Sequence, residues 1–142
     1  MLPTERAKGT FVAAVAVVLA LSGVPASRAH QCVEVQILRA PDAAVPGALI
    51  TTESSATNCG DPARGFNLSW VLVSEKNDQR FLLKKTVGRI QPGQTISGFN
   101  RLLLPAQLRP GIYHLVLVGQ APSGFVDREA VRIVIRRPAT RR

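Results

Sequence analysis

From Val33 onward the apolar residues recur at every second position, and no stretch shows the recurrence of an amphipathic helix. Val33, Val35 and Ile37 alternate with Glu34 and Gln36. Phe66, Leu68, Trp70 and Leu72 share one face of 66–74 (FNLSWVLVS), and Tyr113, Leu115 and Leu117 share one face of 112–119. Chains with this period bury one face of each strand against a second sheet. Turn chemistry separates the runs: Asn58-Cys59-Gly60-Asp61-Pro62, the polar stretch 75–79, Gln91-Pro92-Gly93-Gln94, 105–111 and 120–124. Strands are therefore predicted at 33–37, 48–57, 66–74, 80–87, 95–104, 112–119 and 126–135, seven in all, which makes an all-β sandwich.

Several residues carry finer expectations. The segment 39–47 holds two prolines and ends in Gly47, so the sheet is expected to break there. Gly98 is expected to mark a bulge. Lys84 and Lys85 identify 80–87 as an exposed edge strand. Trp70, the chain's one tryptophan, is expected at the centre of the core. Tyr113 follows Pro110-Gly111 and is expected to fold its hydroxyl back onto the connecting backbone.

The N-terminus reads differently. Arg6 and Lys8 precede an uninterrupted apolar run at 11–21 (FVAAVAVVLAL), followed by Ser22, Gly23, Pro25 and small residues. That order predicts a secretory signal peptide, 1–29, with cleavage after Ala26 or Ala29. The run is shorter than the roughly 20 residues a membrane-spanning helix needs, so the chain is expected not to span a membrane. A single domain, 30–135, and a basic tail, 136–142, follow. The expected location is periplasmic or secreted, and in such an oxidising compartment Cys32 and Cys59 are expected to pair. Closing that loop is worth about 3–4 kcal/mol by chain-entropy arithmetic.

Export also explains much of the charge. The 142 residues carry 18 Lys plus Arg against 9 Asp plus Glu. Arg6, Lys8 and Arg28 lie in the leader and Arg136, Arg137, Arg141 and Arg142 in the tail, leaving 11 bases against 8 acids in 30–135. The tail reads as a solvated end that aids solubility, with a weak, salt-sensitive attraction to anionic surfaces as the alternative. Nucleic acid is not an expected partner, because aromatic and basic residues are not interleaved.

The order of an Asn58-x-Gly60 turn, an aromatic strand around Trp70, the Pro92-Gly93-Gln94 turn, a long strand ending at Pro105, and Pro110-Gly111-x-Tyr113 resembles the CARDB family. These are cell-adhesion-related domains of bacterial exported proteins, and the likeness covers 33–135. The resemblance implies an immunoglobulin-like sandwich acting through protein contacts. The chain departs from the family pattern in one respect: such domains have an acidic, asparagine-rich approach to the last strand, where this chain has only Asp127 and Glu129.

No catalytic signature is present. The histidines are His30 and His114, and there is no nucleophile elbow, metalloprotease helix, phosphate loop or dinucleotide fingerprint. The expected function is a non-catalytic exported domain mediating protein–protein interaction in the envelope or outside it, with no cofactor. An alternative is periplasmic copper binding: cleavage after Ala29 exposes His30, whose α-amine and imidazole can chelate Cu(II), with His114 as a third ligand. The histidine start and late Pro-Gly-x-Tyr strand are similar to those of small periplasmic copper-binding proteins.

Overall fold

The computed structural model describes residues 32–139. The predicted signal peptide (1–29), His30 and the last three positions of the predicted basic tail lie outside the described residues. Eight strands follow in order: β1 (Val33–Arg39), β2 (Ala43–Ala44), β3 (Leu49–Asn58), β4 (Phe66–Ser74), β5 (Arg80–Gly88), β6 (Thr95–Leu103), β7 (Gly111–Gln120) and β8 (Val126–Ile135). They form a three-stranded sheet ordered β1-β3-β6 and a five-stranded sheet ordered β2-β8-β7-β4-β5. Every pairing is antiparallel except β2 with β8. The molecule is an all-β sandwich, and no helix among the described residues is long and apolar enough to cross a membrane.

The alternating side chains make the core between the sheets. Phe66, Trp70 and Leu72 of β4, Leu115 and Leu117 of β7, and Ile133 and Ile135 of β8 face Val33, Val35 and Ile37 of β1, Ile50 and Ala56 of β3, and Leu102 of β6. Trp70 is only 3% exposed, as its position on the apolar face predicts.

Three details depart from the sequence reading. The proline-rich segment does leave the first sheet, but Ala43 and Ala44 pair with Val134 and Ile135, adding an eighth strand to the second sheet. Two residues of small, unbranched side chain are too short a run for the alternation rule to register. Gly98 makes no bulge, since β3 and β6 run in unbroken register from Leu49↔Leu103 to Thr57↔Thr95. The register shifts fall at Leu38, between Ile37 and Arg39, and at Leu83, where β5 gains one residue against Trp70 and Val71.

Two turns fix how the strands are joined. Asn58 is fully buried, and its side-chain oxygen accepts from Gly60 N (2.8 Å) and Asp61 N (2.7 Å) while its amide nitrogen donates to Asp61 O (2.8 Å) and Ile90 O (2.7 Å). All the polar capacity of a buried amide is thereby used, which is what makes its burial tolerable. At the far end, Tyr113 donates its hydroxyl hydrogen to Arg109 O (2.8 Å), the expected return onto the connecting backbone. The phenol oxygen also lies 3.0 Å from the Gln79 side-chain amide.

Candidate functional site

The two long sides of the sandwich, where the sheets' edges meet, are built differently. On the β1/β8 side, Val35 N donates to Asp127 Oδ2 (3.0 Å) and Ile37 N donates to Glu129 Oε1. Both N–H groups belong to the outer edge of β1, and both carboxylates reach across from the opposite sheet. Asp127 and Glu129 stand opposite Gly119 and Leu117 of β7, on the same alternating face as Val131, Ile133 and Ile135. The acids thus occupy inward positions of β8 and satisfy an edge that would otherwise be open.

Close packing accompanies that closure. A Cβ built on Gly119 would lie 2.5 Å from Val35 Cγ1, so only glycine lets β1 approach β7 this closely. The Cys32–Cys59 disulfide joins the start of β1 to the end of β3, with Cα atoms 4.7 Å apart, and Cys59 N donates to Cys32 O (3.1 Å). Glu34 lies near the two sulfurs. Sulfurs bonded to each other are not thiolates, so this trio offers no soft metal site.

The β5/β6 side is open. Among the described residues β5 is bonded only to β4, and β6 only to β3, and the two strands barely meet. Leu82 is 64% exposed, Val87 63% and Phe99 70%. Between the strands a cleft of about 180 Å³ runs in over Trp70 and Leu117, walled by Leu68 and Thr86 on one sheet and by Ser54, Ala56, Ile96, Gly98 and Asn100 on the other. The cleft exists because the inner face of β3 and β6 carries small side chains here. Nothing lies within 4 Å of where a Cβ on Gly98 would stand. Asn100 donates to Ser54 Oγ (3.1 Å), while the buried Thr52 Oγ1 beside them has no partner among the described residues.

Charge separates the sides further. Residues 80–104 contain Arg80, Lys84, Lys85, Arg89 and Arg101 and no Asp or Glu. Among the described residues none of these five is paired with a carboxylate. The extra residue in β5 sets both Leu83 and Lys84 against Trp70, so Lys84 shares the inward side of an edge strand. Arg80 and Lys85 oppose Val73 and Ser69 on the outer face.

A second concavity, about 270 Å³, lies at the end of the sandwich beneath the β4–β5 turn and beside Arg109 and Tyr113. Its polar groups are occupied with one another. Ser74 Oγ donates to Asp78 Oδ1 and accepts from Asp78 N and Gln79 N (both 3.0 Å). Arg109 Nη2 stands 3.8 Å from Asp78 Oδ2. The Ser74 hydroxyl bond, above all, holds the Asp78 carboxyl below its ordinary range, with lesser help from its backbone and from Arg109 and Lys76. This is a locked turn, not a receptive pocket.

The residues singled out by sequence thus fall in separate places. Cys32 and Cys59 are joined on the closed side, Trp70 floors the open cleft, and Tyr113 locks the end of the molecule. His114 sits on the outer face of the five-stranded sheet, between Val73 and Arg132 in register. His30, the first ligand of the copper reading, lies outside the described residues. Asp127 and Glu129 are noted in the sequence only as the acids ahead of the last strand, not as acceptors for the edge of β1, and the β5/β6 cleft has no counterpart in the sequence reading. The signal for the two acids was present: the alternation Val131, Ile133, Ile135 extends backward onto them.

The sequence matches no family model and no curated protein. Solved structures show the fold. A beta-glucosidase from Listeria innocua, solved with isofagomine, superposes on 78% of this chain with a TM-score of 0.56 and 14% identity. A family 123 glycoside hydrolase from Clostridium perfringens does so on 68% with a TM-score of 0.51 and 12% identity. This chain spans only 17% of the first and 23% of the second. At such identity the likeness concerns the fold alone.

Proposed function

We propose that the protein is an exported, non-catalytic β-sandwich that binds a protein partner in the cell envelope or outside it, and that the β5/β6 side is its binding surface. The observation that carries this reading is the open side itself: two strand edges without neighbours among the described residues, a cleft floored by Trp70 with Phe99 exposed at its rim, and Leu82 and Val87 exposed on the outer face of β5. Unpaired strand edges are features that monomeric proteins normally cover or charge. Strand edges also supply a general recognition mode, since backbone groups give affinity and flanking pockets give selectivity. The CARDB resemblance points the same way, toward contacts between exported proteins.

Photo-crosslinking amino acids placed at Val87 and Phe99, and at Glu34 as a control on the closed side, test this in cells that produce the protein. Discrete adducts at Val87 and Phe99 that are missing at Glu34 are the expected result. Adducts at all three positions, or at none, would remove the basis for the reading.

A further inference from the structure

We propose that β5 is the docking edge for an extended segment of the partner in which carboxylates are interspersed with apolar residues, and that this segment adds to the five-stranded sheet as its next strand. The inference rests on the reading of the open side as the binding surface and specifies the chemistry of what binds there.

Backbone geometry supplies the first argument. Among the described residues β5 has β4 on one side and no strand on the other, so it can accept another strand with main-chain hydrogen bonds. The cleft beside it is large enough for an apolar side chain of that strand to reach Leu117 and the ring of Trp70. Leu82 and Val87 offer cover on the outer face.

Charge decides the occupant. A second copy paired edge to edge would set Lys84 and Lys85 against lysines, and like charges directly opposite one another are destabilising. Lys84, on the inward side of the bulged edge, is the type of residue that prevents such pairing. The same lysines favour a strand that brings carboxylates, because opposite charges across a ladder are attractive. They discriminate against self while selecting an acidic partner, with Arg80, Arg89 and Arg101 extending the same sign. A flat anionic membrane fits less well. Basic residues lie on both faces of β5, Lys84 inward with Arg80 and Lys85 outward, which suits a strand lying along the edge and not a plane pressed against one face.

The test uses a capped peptide as long as β5, built of Val, Thr and Glu, with a Lys-for-Glu counterpart and a version N-methylated at alternate residues along one edge. Binding is read by anisotropy of the labelled peptide and by the emission of Trp70, the protein's one tryptophan. The acidic peptide is expected to bind and to shift Trp70 emission. Its affinity is expected to fall at least about tenfold for the K84E/K85E protein, at least about tenfold on N-methylation of the bonding edge, and steeply between about 0.05 M and about 0.5 M salt. Equal binding of the Lys peptide, or indifference to N-methylation, would overturn the proposal. So would dimerisation of the protein in sedimentation, or preference for vesicles containing an anionic phospholipid over the peptide. If crosslinks form at Val87 and Phe99 but the acidic peptide does not bind, the acidic strand is wrong while the binding surface stands.

Discussion

The two long sides of this sandwich meet the same problem, the unpaired backbone of an edge strand, and answer it in opposite ways. Along β1 the N–H groups of Val35 and Ile37 are taken by Asp127 and Glu129, glycine at 119 draws the sheets together, and a disulfide ties the strand end. Along β5 and β6 there is no such cover. Small residues and Gly98 leave a gap over Trp70, and large apolar side chains stand in solvent. The difference teaches that the open side is not a fold that ran out of means to close its edges. The same chain closes one side with carboxylates and arms the other with lysines.

The comparison can be broken by experiment, beginning where the effect is greatest. Replacing Cys32 and Cys59 by Ser is expected to cost about 3–4 kcal/mol in urea unfolding, and a loss under about 1 kcal/mol would mean the closed side does not depend on its bridge. Asp127→Ala with Glu129→Ala leaves two edge N–H groups of β1 without their acceptors and is expected to cost about 2–3 kcal/mol. Amide exchange at Val35 and Ile37 should quicken in that variant; unchanged exchange would show that the carboxylates do not protect the edge.

A pair of glycine substitutions sharpens the contrast. Gly119→Ala forces a methyl against the branched, buried Val35 and is expected to cost about 1–3 kcal/mol. Gly98→Ala, with open space at its Cβ, is expected to change stability by no more than about 0.5–1 kcal/mol. Equal losses at the two positions would abolish the packing distinction between the sides. On the open side, Leu82→Ser and Phe99→Ser should each shift stability by no more than about 0.5 kcal/mol, and a large loss would mean these side chains support the fold.

The smallest effect concerns pH. Folding holds the Asp78 carboxyl below its ordinary range, so its contribution is present above that range and is lost as pH falls through the lowered folded value. The difference in thermal midpoint between the native protein and Asp78→Asn should therefore be seen at neutral pH and fade in acid. A difference that grows on acidification would reverse the assignment.

Most of the architecture was legible because it is written at the level of alternation. Phe66, Trp70 and Leu72, or Tyr113, Leu115 and Leu117, announce both a strand and its buried face. Turn residues such as Pro92-Gly93 mark the breaks, and two cysteines in the whole chain leave one intramolecular pairing. The sites were harder to see, because they depend on how one sheet lies across the other. Asp127 looks like any polar strand residue until its face is counted from Ile133, and its target, Val35 N, is 92 residues away. Gly98 was read as a local kink because glycine in a strand has several uses, and only the register across β3 and β6 shows that here it empties a space. The inward turn of Lys84 depends on one inserted residue in β5, which no count along the sequence reveals.

The bridge at the head of the sandwich also bears on mechanics. If the protein is held by a segment ahead of Cys32 and pulled by a partner or tether beyond Ile135, load passes from Cys32 straight to Cys59 through sulfur. The strands between them, β1, β2 and the whole of β3, are bypassed and cannot be drawn out as extended chain. With 27 residues separating the cysteines, the fully stretched protein is shorter by roughly 90 Å. The bridge therefore works as a tensile bypass as well as a brace, and a force-extension trace would show the missing length returning on reduction.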